Sequence, residues 1–486
     1  MSNQSLTISI KEIIKNHYSL SALDYRAMSN SSESEGIAMI DLITTMEKGF
    51  EPGSENYVEE SSYKFLRISD LDDDSAVIFL TNEVKNIKSV NLDKQVRKGD
   101  ILYQTASNVG NVCFYYDEKP AFYNSHLLKL DLKMEDKFYV FAFLKSSFSK
   151  TALNVSGSIK GVDNFRKDII ENQKIVFPNK ENYKDPNLIK QYVELLMESI
   201  IQKEIEIKEK NEQIDAFFSE ELNKDSDQFK LNYSYPTKTQ FLIDNRLDSH
   251  VFSRDYKLIE HNIKQYSDGF FYLDSENISP GRTPKDRIFS EESLPGNYLW
   301  LTPKNMKGRL LHYQTYIHTN DGVSLKKDDV VISGIRYVDN GVFISDAGKK
   351  VYTNQNTLII RHSEDRETQI FILLFLTSSV AKELVYSRRI MGTVPILYAS
   401  QLCKIPIPNF SKVKREKVVE LFFNEMPLLK DTDNFKEYLN EANKRNKAMG
   451  IYQLNEELLY LRDILNETIG NIVNRKKIVV SLPFTC

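Results

Sequence analysis

The stretches ILYQTASNVGNVCFYYD, residues 101–117, and VVISGIRYVDNGVFISD, residues 330–346, lie against each other without a gap. In each, an apolar run enters a polar turn that closes on an asparagine, Asn111 or Asn340, and a second apolar run follows, with Phe114 opposite Phe343. Short apolar runs bounded by turn residues read as buried strands, so each stretch reads as strand, turn, strand. The match extends outward in both directions. Lys98–Tyr103 pairs with Lys327–Ile332, Tyr123–His126 with Thr353–Asn356, Lys145–Lys150 with Thr377–Lys382, and Ile175–Asn179 with Ile405–Asn409. Upstream, Phe65–Ile68 pairs with Tyr298–Leu301 and Leu23–Arg26 with Leu247–His250. The order never changes and the lags stay between 224 and 233 residues. Chance would scatter the offsets, so the chain is read as a tandem duplication.

Each copy reads as an α+β globule of roughly 150 residues, an ordinary domain size. Strands are expected at Lys64–Leu71, Gly99–Tyr103, Val112–Tyr116 and Leu127–Leu132 of the first copy. A helix is expected next, near Asp136–Thr151 and Thr368–Tyr386. A glycine-bearing polar loop follows, Ser156–Gly161 or Arg388–Gly392, and then a strand ending at Pro178 or Pro408.

Behind each globule the period lengthens. Asp185–Leu222 contains no glycine, and its one proline, Pro186, stands where a first helical turn tolerates it. Ile189, Val193, Leu196, Ile200, Ile207, Ile214 and Phe217 form a 3-4 stripe, with Lys203 and Lys210 at two seam positions. That is the pattern of a long amphipathic helix able to pack as a coiled coil. Ile451, Leu454, Leu458, Leu461, Leu465 and Ile472 repeat it, after an interruption between Met426-Pro427 and Gly450. The expected domains are therefore 1–180 and 241–410 for the globules, 181–225 and 411–480 for the helical arms, and 226–240 for a linker.

The bulk properties narrow the function. The chain has 486 residues, 64 Lys+Arg against 68 Asp+Glu, and a formal charge of −4. Its 41% hydrophobic residues indicate a globular protein rather than a disordered one. Cys113, Cys403 and Cys486 form no C-x-x-C pair, which argues against a disulfide framework or a cysteine zinc site and suits a reducing cytoplasm. The longest apolar run, Ile370–Leu376, is far short of the ~20 residues a membrane helix needs. Lys11, Glu12 and Lys15 interrupt the place where a signal peptide would carry its apolar stretch. No G-x-x-x-x-G-K-[ST] loop, G-x-G-x-x-G turn, Asn/Asp-Pro-Pro-aromatic methylation motif, G-x-S-x-G or H-E-x-x-H occurs. Glu204-Ile-Glu206-Ile-Lys208 loosely mimics a nuclease set, but its place in a charge-rich helix reads as a solvated face.

The whole pattern resembles the specificity (S) subunit of type I restriction–modification systems. The opening Ile278-Ser-Pro-Gly281-Arg-Thr-Pro284 followed by Tyr298–Thr302 carries the likeness in the second copy, and Lys48-Gly49-Phe-Glu-Pro52 is its blurred form in the first. The duplicated order, from about residue 20 to 478, makes the likeness specific. It implies two target-recognition domains, each reading one half of a split double-stranded DNA sequence, with the two long helices packed antiparallel as a coiled-coil spacer. It also implies a non-catalytic chain working with two methyltransferase subunits and a motor–nuclease subunit. S-adenosylmethionine, ATP and Mg²⁺ would then belong to those partners, and this chain would hold no cofactor and no metal. The competing readings are a recognition adaptor of another phage-defence system and a coiled-coil scaffold without a DNA role.

DNA bases are read by Arg, Lys, Asn and Gln, and phosphates by Lys, Arg, Ser and backbone amides. The first copy offers Arg67, Ser69, Ser107, Asn108, Asn124, His126, Ser158 and Lys160. The second offers Lys304, Asn305, Arg336, Asn354, Asn356, Arg388, Arg389 and Thr393, with Arg388-Arg389 the foremost pair. Asn111 and Asn340, at equivalent turns, read as structural because Asn tolerates left-handed backbone. Residues 61–130 hold nine basic and nine acidic side chains, whereas 300–362 hold nine and five. The helical acids Glu194, Glu198, Glu204, Glu206, Glu209 and Glu212 suit a protein partner better than phosphate.

Overall fold

The computed structural model describes residues 36–81, 84–88, 94–149, 167–222, 238, 246, 249–290, 296–312, 315–319, 321, 324–345 and 351–486. They fall into two compact units, one drawn from Met1–Ile205, Pro427–Lys447 and Glu456–Cys486, the other from Glu206–Met426 and Ala448–Asn455.

The globular part of the first unit, head 1, is built on two five-stranded sheets. The larger runs in the order Ile43–Lys48, Leu127–Leu132, Ile101–Gln104, Val112–Tyr115, Val77–Ile78. The second runs Tyr57–Val58, Lys85–Ile87, Lys64–Leu66, Ala121–Tyr123, Gln95–Val96. Leu66 and Tyr123 of one sheet pack with Leu102 and Cys113 of the other in a shared core. The period-2 alternation of strands sends Phe65 and Phe122 to the opposite face, where they meet Ile87.

The second unit's globular part, head 2, repeats this plan with four-stranded sheets. Ile278–Pro280, Thr357–Ile360, Val330–Ser333 and Gly341–Phe343 form one; Ile288–Ser290, Tyr316–His318, Tyr298–Leu301 and Val351–Thr353 form the other. Both heads set one parallel pair in an otherwise antiparallel second sheet, Lys64–Leu66 with Ala121–Tyr123 and Tyr298–Leu301 with Val351–Thr353. Both close with a two-stranded ladder between distant segments, Ile37–Ala38 with Lys174–Ile175 and Phe270–Phe271 with Ile407–Pro408. Strands Ile101–Gln104 and Val330–Ser333 are buried throughout, which accounts for the uninterrupted apolar runs in the opening sequence pair.

One sequence match shifts. Phe65 stands in register with Phe122, and Trp300 with Tyr352, so the counterpart of Phe65 is Trp300 and not Tyr298. The turns agree: the Arg67 amide donates to Asp70 at 2.7 Å and the Thr302 amide to Asn305 at 2.9 Å. Tyr298-Leu-Trp-Leu301 alternates aromatic and leucine, so it offered two equally good alignments, and only strand register separates them. Residues 23–26, 247 and 248 lie outside the described residues, as does most of the expected linker.

The helices also differ from expectation in two places. Head 1's helix covers Lys137–Lys145, breaks as Ser146 turns extended (ψ 152°), and is helical again at 147–149. In head 2 the expected single helix is two, Arg366–Leu376 and Ser379–Arg388, bent by 76°. Ser378 makes the break by capping the second helix, its hydroxyl accepting from the Ala381 amide.

The first long helix is Pro186–Leu222, 37 residues or about 55 Å at 1.5 Å per residue. The Asp185 carboxylate accepts from the Leu188 amide at its start. Ile189, Val193, Leu196, Ile200, Ile207, Ile214 and Phe217 are all buried, and so are Lys203 and Lys210. The second arm begins with Lys412–Phe422 and continues as Phe435–Ala448 and Ile451–Val473. The expected polar interruption is thus mostly helix, with a corner at Gly450. A side chain there would collide with the Asn424 amide and the Phe422 carbonyl, so the corner requires glycine. Leu454, Leu458, Leu461 and Leu465 are buried. Within the first unit the long helices are tied in antiparallel sense: Tyr183 donates to the Asn471 carbonyl (3.1 Å), and Lys203 to Glu457 (2.6 Å). Among the described residues no single helix is long and apolar enough to cross a membrane.

Candidate nucleic-acid interface

At one end of head 2, separate loops are stapled together by backbone hydrogen bonds. The Gly334 amide donates to the Asn356 carbonyl, and the Leu397 amide to the Gly334 carbonyl, both at 2.8 Å. Ile390 and Ile396 exchange two bonds (2.7 and 3.1 Å), which makes 390–396 a small hairpin. The Gly281 amide reaches the Thr357 carbonyl, and a Cβ at Gly281 would collide with the Asn354 carbonyl. The loops at 281–283, 334–337, 354–356 and 389–397 therefore form one surface.

Head 1 gathers the matching segments. Gly49 and Phe50 donate to the carbonyls of Leu127 and Tyr123, and the Thr105 amide donates to His126. In both heads an asparagine shapes the strand end: the Asn124 side chain accepts from the His126 amide (3.2 Å), and Asn354 accepts from Asn356 (3.1 Å). These Asx turns serve structure, as does Asn111, which accepts from Lys145 at 2.9 Å. Asn340 does likewise, accepting from the Gly308 amide and donating to the Met306 carbonyl.

Several candidates lie on the loop surface of their own head. Ser107 (φ 64°) and Arg336 (φ 55°) occupy matching turns in left-handed backbone, and both are exposed. Asn108 is exposed and donates to Asp73; Thr393 is exposed at the hairpin tip, and His126 and Asn356 are half-buried. The Arg389 guanidinium lies 3.9 Å from the Tyr386 ring and donates to the Arg336 carbonyl, leaving it half-buried at the edge of the loop surface.

Arg388, Asn305 and Arg67 are corrected. Arg388, the foremost one, is 2% exposed; its Nε donates to the Tyr256 hydroxyl at 2.7 Å, so it is a core side chain. It closes a helix whose inner face carries Leu384 and Val385, and adjacency to Arg389 in sequence says nothing about sharing a face. Asn305 is 1% exposed and is spent on the turn, accepting from the Thr302 amide and hydroxyl and donating to Thr315. Arg67 is tied to its own turn through Asp70 (3.3 Å). Ser69 and Lys304 are exposed on the matching turns. Ser158 and Lys160 lie outside the described residues. Glu204 is not on a solvated face; it is buried and fully engaged.

The sequence reading missed the apolar character of the head 2 surface, where Tyr337, Ile390, Met391 and Val394 are all exposed. It also missed a groove of about 750 Å³ in the first unit, lined by apolar Met134, Phe138, Leu188, Leu195, Phe435 and Leu439 and by Glu194, Glu198 and Asp433. Burial pushes the Glu194 and Glu198 carboxyls up from their ordinary values. The signal was present as acids interleaved with the buried stripe, but the segment that completes the groove, 432–439, comes from the interruption in the other arm.

Residues 31–213 match the family described as the type I restriction modification DNA specificity domain. That stretch belongs to this family. Among solved structures, the S subunit of a type I restriction–modification system from M. genitalium is 15% identical, with 89% of this chain and 95% of that one covered and a TM-score of 0.39. A structure titled for complex assembly and conformational transition of the type I R-M system is 13% identical over 90% and 98% of the chains, with a TM-score of 0.27. The HsdS subunit from Thermoanaerobacter tengcongensis is 12% identical over 90% and 95%, with a TM-score of 0.25. No curated protein matches the chain.

Proposed function

We propose that the chain is a DNA-specificity subunit whose two heads read the two halves of an asymmetric, split target. The observation that carries this reading is the repeated head. The same strand order and the same parallel pair present equivalent loop surfaces bearing different side chains, Ser107-Asn108 in one and Arg336-Tyr337 in the other. Similar scaffolds with different reading side chains imply different half-sites. The long helices act as a coiled-coil spacer that sets the gap, and gap length matters because half-sites repeat with the ~10–10.5 bp turn of the duplex.

The chain does no chemistry of its own in this reading. It directs adenine methyltransferase subunits and a motor–nuclease subunit, which bring S-adenosylmethionine, ATP and Mg²⁺, in the cytoplasm as part of phage defence. The groove of the first unit offers such a partner an apolar seat with the carboxylates of Glu194, Glu198 and Asp433 beside it. The test is binding of the full chain, with its methyltransferase subunits, to a pool of random duplexes. Enrichment of a two-part motif supports the reading; equal affinity for all duplexes contradicts it.

A further inference from the structure

Glu204 lies within the helix Pro186–Leu222 and is only 7% exposed. Its carboxylate accepts from the Ser75 hydroxyl (2.6 Å), from the amides of Ala76 (2.9 Å) and Val77 (3.0 Å), and from the Arg462 guanidinium (2.9 Å). Ser75–Val77 enter the edge strand Val77–Ile78 of the larger head 1 sheet. That strand pairs with Val112–Tyr115, which leaves the loop carrying Ser107 and Asn108. Arg462 belongs to the returning helix Ile451–Val473. One side chain thus joins the reading head, the spacer helix and the second helix.

Stability alone does not call for this arrangement, because a buried ion pair is often no more stabilising than apolar side chains of equal size. What a carboxylate held by two amides, a hydroxyl and a guanidinium adds is direction: each bond is lost if the head tilts or slides on the helix. In the second unit the ties run differently: the Arg309 guanidinium of head 2 donates to Asp215 and Asn211 of the long helix (both 2.6 Å), and Asn455 donates to the Leu311 carbonyl at 3.2 Å.

We propose that Glu204, together with Arg462, is a positioning residue that locks head 1 to the spacer helix and thereby restricts the chain to one spacing between half-sites. This rests on the split-target reading above. Adding one base pair rotates the far half-site by about a tenth of a turn, so a head released from its lock accepts neighbouring spacings while its base contacts stay the same.

The experiment expresses the full chain, wild type or variant, with its methyltransferase subunits and sequences the methylated adenines. For Glu204→Ala, methylation at spacings one base pair longer or shorter is expected to rise about tenfold, with both half-sites unchanged; one lost energetic preference of about 1.4 kcal/mol is tenfold. Arg462→Ala and Ser75→Ala, which each remove one of the bonds to Glu204, are expected to shift in the same direction by less. A single spacing retained at wild-type level in Glu204→Ala overturns the proposal; should that variant not fold, the same result in the other two does so. A wild type with no split motif would instead overturn the function reading. Amide exchange at Ala76 and Val77 in the full chain would then judge the lock, about tenfold faster in Glu204→Ala if it holds and unchanged if it does not.

Discussion

The Lys203 ammonium lies 2.6 Å from Glu457, with both side chains less than a tenth exposed, and Glu457 also takes a bidentate pair of bonds from Arg445 (2.9 and 2.7 Å). Burial pulls the Lys203 pKa down and Glu457 only partly restores it. One carboxylate is therefore shared by two buried basic side chains where the antiparallel helices of the first unit meet.

Removing that carboxylate strands both cations. Glu457→Ala is expected to destabilise the first unit by about 3–5 kcal/mol, the cost of breaking a buried pair. Lys203→Met, which leaves Glu457 paired with Arg445, should cost clearly less. Urea unfolding followed on first-unit probes gives both values.

Arg388 and Arg389 should separate cleanly. Arg388→Ala removes a buried partner of Tyr256 and is expected to cost about 2–3 kcal/mol of head 2 stability. Arg389→Ala, which gives up a stacking contact and bonds at the rim, should cost less stability than Arg388→Ala, about 1 kcal/mol, and weaken target DNA binding about tenfold. Thermal melts and fluorescence anisotropy on the target duplex measure the two effects.

Exchanging residues 240–410 for those of a related subunit should change one half of the recognised motif and leave the other intact. Methylome sequencing reads the outcome, and a change in both halves would refute independent heads.

Glu260 makes head 2 acid-sensitive. Burial raises its carboxyl pKa, but Lys257 (2.9 Å) and Lys264 (3.1 Å) outweigh that and hold it below the usual value. A depressed folded pKa means the stabilisation is present above the unfolded value of about 4.3 and is lost as pH falls through the folded value. Wild type should therefore lose more stability than Glu260→Gln between pH 6 and pH 3, as denaturant titrations at each pH would report.

Much of this was legible in the sequence because strands and helices leave periodic traces. The duplication, the buried strands Ile101–Gln104 and Val330–Ser333, and the stripe from Ile189 to Phe217 all came from apolar spacing. The candidate surface was harder, since a polar residue in a turn is used either outward or inward, and composition does not distinguish the two. Asn305 and Arg388 turned inward, whereas Arg336 and Thr393 stayed outside. Glu204 looked like one acid among many because its partners, Ser75 and Arg462, lie 129 and 258 residues away.

The central claim is that this chain chooses a split DNA target. Sequencing methylated adenines in the native genome, with and without the gene for this chain, tests it most directly. The account predicts a motif of two different half-sites at a fixed gap that disappears when the gene is removed. A contiguous motif, or a methylation pattern indifferent to the gene, would contradict it.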